Sequence, residues 1–127
     1  MAIEITELNH VNVTVPTSVE DAAKHFYGVV LGLVELPKPA ESRGRGGAWY
    51  QLGATQLHLS REDSVKDNQK SKRHVCYLVR DLAVAEKHLR AAGVEIIPDD
   101  MPVPGWPRFY VHDPGGNRIE IAERKTT

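Results

Sequence analysis

Four side chains with the chemistry of metal ligands stand at matched places in the chain: His10, His58, His74 and Glu120. His10 and His58 are 48 residues apart and His74 and Glu120 are 46 apart, so the sequence carries two similarly spaced pairs. Three imidazoles and one carboxylate offer only nitrogen and oxygen donors, a set suited to Zn, Ni, Fe, Co or Mn. With four protein ligands, an octahedral ion keeps two positions for water or substrate, and the chemistry such a site supplies is Lewis-acid activation of a small oxygenated molecule. Glu120 lowers the net charge of such a centre and could also carry a proton. A single histidine on a strand is usually a hydrogen-bonding residue. The matched placement of all four points to one divalent metal.

The elements that must position them repeat. LNHVNVTV (residues 8–15) alternates, with Val11, Val13 and Val15 on one face and His10, Asn12 and Thr14 on the other. RHVCYLV (73–79) reads the same way, placing His74 and Cys76 on one face. Each strand leads into a helix: Thr17 to Glu20 reads as a capping box, and Asp81 as the N-cap of LAVAEKHLRAAG, which stops at Gly93. AAKHF in the first helix matches AEKHL in the second. Then come apolar stretches at 33–36 and 94–97, Pro/Gly-rich loops at 37–47 and 98–107, and two strands per half. AWYQLG (48–53) and TQLHLS (55–60) close the first half, and RFYVH (108–112) and NRIEIAE (117–123), joined by Asp113-Pro114-Gly115-Gly116, close the second. His58 and Glu120 sit at the centres of the last strands, opposite the apolar faces Leu57/Leu59 and Ile119/Ile121. The order predicts an α+β fold of two βαβββ modules, about 6–60 and 73–123, in one domain of 127 residues, with 61–72 a solvated linker.

These segments resemble the vicinal oxygen chelate superfamily, which includes glyoxalase I, methylmalonyl-CoA epimerase, extradiol dioxygenases, fosfomycin resistance enzymes and bleomycin-binding proteins. The resemblance spans nearly the whole chain, through LNHVNVTV, FYGVVLGL, QLHL, RHVCYLV and, most specifically, FYVHDPGGNRIEI. It implies two modules whose strands curl into a cup around one metal, usually in a homodimer, with ligands from the first and fourth strands of each module. Those positions here are His10, His58, His74 and Glu120. The implied chemistry is chelation of a small-molecule substrate through neighbouring oxygens, as in a metal-dependent lyase or isomerase of the glyoxalase type. Glyoxalase I has Glu where this chain has His58, which weighs against that particular reaction. The alternatives are a ferrous-iron dioxygenase and a non-catalytic drug-binding resistance protein.

Trp49, Trp106, Arg108 and Tyr110 are candidates for substrate binding, the aromatics as cavity walls and Arg108 as a carboxylate or phosphate grip. The loops that hold Trp106 and SRGRGG (42–47) could fold over the site. His25, His88 and His112 read as surface or packing residues, and Cys76 as a small buried filler. Composition narrows the class. Lys and Arg total 16 against 17 Asp and Glu, so no global field attracts nucleic acid or an anionic membrane. The acidic N-terminal stretch lacks the pattern of a secretion signal, and the expected location is cytoplasmic. One cysteine forms no intrachain disulfide and supplies too few thiolates for a sulfur-based zinc site.

Overall fold

A computed structural model describes residues 3–64 and 68–124, so part of the expected linker, residues 65–67, lies outside the described residues. The chain forms two compact units that divide between Asp63 and Ser64. The first contains β1 (His10–Val15), a 3-10 turn (Thr17–Val19), α1 (Glu20–His25), a π-helical turn (Phe26–Val30), β2 (Val34–Leu36), a 3-10 turn (Ala40–Arg45), β3 (Ala48–Leu52) and β4 (Thr55–Arg61). The second contains β5 (His74–Val79), α2 (Leu82–Ala91), β6 (Ile97–Pro98), β7 (Arg108–His112) and β8 (Arg118–Glu123). Each unit is a four-stranded mixed sheet, ordered β1-β4-β3-β2 in the first and β5-β8-β7-β6 in the second. This is the expected α+β arrangement of two βαβββ modules. Among the described residues no helix is long and apolar enough to cross a membrane.

The outer and last strands of each module run parallel, which needs the intervening helix as a crossover. In the first sheet His10 pairs with Gln56 and Asn12 with His58; in the second His74 pairs with Arg118 and Cys76 with Glu120. The registers are therefore identical once the modules are superimposed in sequence. One face of each sheet is packed: Val15, Tyr50, Leu57 and Leu59 with Phe26 and Tyr27 in the first unit, and Tyr77, Phe109, Val111, Ile119 and Ile121 with Leu89 in the second. Because side chains alternate along a strand, burying these sets commits His10, His58, His74 and Glu120 to the opposite faces.

The turns follow their residue chemistry. Asp113 Oδ1 accepts the backbone N–H groups of Gly115 and Asn117, each at 2.9 Å, and Gly116 takes φ +85°, so Asp-Pro-Gly-Gly-Asn closes the β7–β8 hairpin. Asp81 caps α2 by accepting from Val84 N–H at 3.1 Å, and Gly93 ends it at φ +81°.

Three local expectations change. The capping box at Thr17 and Glu20 does not form: Thr17 gives its N–H and hydroxyl to the Asp63 carboxylate at 2.7 and 2.8 Å, while Glu20 accepts from Gly47 N–H. Asp63, with Glu62, whose N–H reaches Val15 carbonyl at 2.9 Å, thereby fastens the start of the supposed linker to the first unit. The apolar stretch 94–97 yields a strand only at its end, Ile97–Pro98. The glycine-rich 42–47 segment is a 3-10 turn followed by a close approach: a Cβ on Gly47, at φ +74°, would stand 2.0 Å from Leu59 carbonyl oxygen.

Candidate metal centre

In the first unit His58 lies at the centre of β4 between Asn12 of β1 and Trp49 of β3. Its ring is sandwiched: Trp49 stacks on one side with centroids 4.1 Å apart and planes 2° from parallel, and His10 on the other at 4.1 Å and 14°. Two hydrogen bonds set the tautomers. His10 Nδ1–H donates to Asn9 Oδ1 at 2.8 Å, and His58 Nε2–H to Gln56 Oε1 at 2.9 Å. Burial, then the nearby His10 and Lys38 charges, push the His58 pKa below its ordinary value, so the ring is held neutral, as a metal ligand must be.

In the second unit Glu120 lies at the centre of β8 between Cys76 of β5 and Tyr110 of β7. It is 4% exposed. Its Oε2 accepts from Trp106 Nε1–H at 2.8 Å and Cys76 Sγ–H at 3.4 Å, with Arg108 Nη1 at 3.7 Å. Its Oε1 faces His74 Nε2 at 3.1 Å. Burial raises the Glu120 pKa, but the Trp106 and Cys76 hydrogen bonds and the Arg108 and His74 charges outweigh it and hold the carboxyl ionised below its usual range. His74 Nδ1–H donates to Lys72 carbonyl at 2.8 Å, and a carbonyl can only accept, so the proton sits on Nδ1. Nε2 faces a carboxylate oxygen of Glu120, the geometry of an ion pair when the ring carries both protons.

A metal ion can take the place of the proton between these two atoms, which stand 3.1 Å apart. Imidazole nitrogen and carboxylate oxygen bound to one divalent ion at about 2.0–2.2 Å each stand about 3 Å from one another, so the donor pair fits a metal. The Nδ1–H to carbonyl bond of His74 is the outer contact that orients such ligands. Among the described residues of either unit, no three His, Cys, Asp or Glu side chains are grouped to hold an ion. Each unit by itself supplies one pair.

The four candidate substrate-binding residues lie around these pairs in ways the sequence shows only partly. Trp49 and Tyr110 occupy equivalent register positions, opposite His58 and Glu120 respectively. Tyr110 is buried, meets His74 edge-on at 5.9 Å, and carries the Arg118 guanidinium 4.1 Å above its ring. Trp106, 44% exposed on the 99–107 loop, reaches the Glu120 carboxylate itself. Arg108 turns its fork toward its own chain: Nε donates to Asp99 Oδ2 at 2.9 Å and Nη2 to Met101 carbonyl at 3.3 Å. Cys76 is exposed rather than a buried filler, because it stands on the open face of β5 beside Glu120, and burial and that carboxylate push its thiol pKa up to about 11. It is a donor, not a nucleophile. His25 and His88, on α1 and α2, are exposed, and His112, at the end of β7, is half-buried. Sequence reasoning missed Gln56 and Arg118, although each sits two residues before its unit's candidate ligand, His58 or Glu120, and so shares its face.

The model of the Glyoxalase/Bleomycin resistance protein/Dioxygenase superfamily matches residues 7–121. Among solved structures, a glyoxalase family protein from Bacillus anthracis is 36% identical, with TM-score 0.87, over 98% of this chain and 100% of that one. A lactoylglutathione lyase from Agrobacterium tumefaciens is similar in fold at 22% identity and TM-score 0.71, covering 95% of this chain and 96% of that one. The fosfomycin resistance protein FosX from Listeria monocytogenes is 15% identical with TM-score 0.78, over 94% and 91%. No curated protein matches the chain. With the duplicated registers and a family match across almost its whole length, the chain belongs to the glyoxalase/bleomycin resistance protein/dioxygenase superfamily.

Proposed function

We propose that His10, His58, His74 and Glu120 together bind one divalent metal, and that the protein is an enzyme of the lyase or isomerase kind acting on a small oxygenated substrate. The observation that carries this reading is the pairing of His74 Nε2 with Glu120 Oε1 at 3.1 Å while Nδ1 is committed to Lys72 carbonyl. Members of the superfamily commonly bind a divalent metal, which agrees with the donor set. The bound ion would supply Lewis acidity, withdrawing charge from a substrate carbonyl or hydroxyl oxygen.

The chain's own residues do the rest. Trp106 and Cys76 hold Glu120 Oε2, so Oε1 is the oxygen directed at the reacting groups. A carboxylate stabilised by several donors is a weak base in the resting protein, and it takes a proton only from a carbon or hydroxyl already acidified next to the polarised carbonyl. His58, clamped between Trp49 and His10, has little freedom to rotate and keeps its acceptor nitrogen aimed in one direction. Trp49 and Tyr110 provide apolar walls that exclude water.

Solvent deuterium exchange tests the reaction class. A panel of α-hydroxy and α-oxo carbonyl compounds, incubated in D2O with metal-loaded protein and followed by proton NMR, is expected to include one that exchanges the hydrogen next to its carbonyl. Exchange should stop in Glu120→Gln and after metal removal. Turnover that consumes oxygen and needs ferrous iron would replace this reading with the dioxygenase one.

A further inference from the structure

The open face of the second sheet carries a positive charge that the metal reading leaves unused. In register, Arg118 of β8 stands between His74 of β5 and His112 of β7, and two residues on Glu120 stands between Cys76 and Tyr110. Register partners point to the same side of a sheet, as do residues two apart on one strand. Arg118 therefore shares a face with both His74 and Glu120, about 7 Å from Glu120 along the strand at the usual rise per residue.

The guanidinium lies against the site. Its Cζ is 4.1 Å above the Tyr110 ring, which stands opposite Glu120 and meets His74 edge-on at 5.9 Å. Arg118 is half-buried, and among the described residues its side chain makes no hydrogen bond or ion pair. The acid that feels its charge, Asp99, is already bound to Arg108 Nε at 2.9 Å. An aromatic face holds a guanidinium in place without accepting its in-plane N–H groups, so those donors remain available to an anion. Arg108 cannot serve in the same way, because its donors are committed to Asp99 and to Met101 carbonyl.

The first module differs at the matched position. Gln56 pairs with His10 as Arg118 pairs with His74, and it precedes His58 by two residues as Arg118 precedes Glu120. Gln56 is neutral, and its Oε1 accepts from His58 Nε2 at 2.9 Å, so its side chain supports the candidate ligand. Glu120 receives its support from Trp106, Cys76 and Arg108 instead. That leaves the Arg118 charge for something other than a protein partner.

We propose that Arg118 receives an anionic group of the substrate, a carboxylate or phosphate, on its N–H edge while Tyr110 holds the guanidinium by its face. The substrate is then an anion with adjacent chelating oxygens at one end and a charged group a short spacer away. This rests on the metal reading above and names the substrate class for that site.

Acetohydroxamate and succinate monohydroxamate test it, because both chelate through the same pair of adjacent oxygens and only the second carries a carboxylate. Each is titrated by calorimetry into cobalt-loaded protein. Arg118→Met is expected to weaken succinate monohydroxamate about tenfold more than acetohydroxamate, the worth of a charge-assisted hydrogen bond. Arg118→Gln, which puts the first module's residue at this position, should behave alike, and Arg118→Lys, which keeps the charge and loses the fork, should restore part of the difference. Equal losses for both probes, as from a stack on Tyr110 that is only structural, overturn the proposal, and so does no loss for either. The same titrations on metal-stripped protein separate the two readings. An Arg118-dependent preference for the carboxylate probe that is unchanged without metal keeps the anion site and contradicts the metal role. Metal-dependent binding of both probes with no difference between them in Arg118→Met keeps the metal and overturns the anion site; binding of neither probe to the loaded protein overturns both.

Discussion

At the scale of single residues, the site is a problem of placing lone pairs and protons. Glu120 is fixed by donors on Oε2 from Trp106 and Cys76, and His74 by Lys72 carbonyl, so each presents one defined atom. Outer contacts of this kind tune ligands, and their loss typically weakens metal binding about 10–100-fold. Trp106→Phe keeps the ring and removes the N–H, and is expected to weaken metal affinity within that range while leaving thermal stability nearly unchanged, because the side chain is 44% exposed. A competitive titration against a chromophoric chelator measures it. The types and spacing of the ligand candidates were readable in the sequence because strand alternation carries over directly to a sheet face. The Trp106 bond to Glu120 was not, since nothing in PVPGWPR encodes the direction of an indole N–H across 14 residues of chain.

At the scale of elements, the duplicated βαβββ order was legible from the repeated strand, helix and turn signals, down to the Asp81 cap and the Asp113 turn. What failed were local motifs that a distant partner could outbid. Thr17 and Glu20 fit a capping box, yet Asp63, 46 residues later, takes the threonine and Gly47 takes the glutamate. The observed contacts predict different costs. Asp81→Ala should cost about 1 kcal/mol, the usual value of an N-cap. Gly47→Ala should cost more than about 2 kcal/mol, combining an unfavourable φ of +74° with a clash against the β4 backbone. Urea unfolding of the two variants would show the order.

At the scale of the whole molecule, acid stability and the assembly of the metal centre are each open to measurement. The Thr17 N–H and then its hydroxyl hold the Asp63 pKa below its ordinary value, with burial opposing and Arg61 assisting. A folded pKa below the unfolded one means that the stabilisation is complete above the usual carboxylate range, about pH 4, and is lost as pH falls through the folded value. Asp63→Asn should therefore be less stable than the parent near neutrality, with the difference shrinking in strong acid, as read by thermal unfolding across pH. The superfamily's members are typically dimers, so one metal could draw its pairs from two chains. Mixing His58→Ala with Glu120→Ala protein restores metal binding only if the site is shared between them. The four-ligand centre is tested most directly by elemental analysis of protein purified without added metal, beside the His10→Ala, His58→Ala, His74→Ala and Glu120→Ala variants. The predicted result is one divalent ion per site in the parent and a loss of metal in every variant. Substoichiometric metal that stays the same in His58→Ala and Glu120→Ala would contradict it.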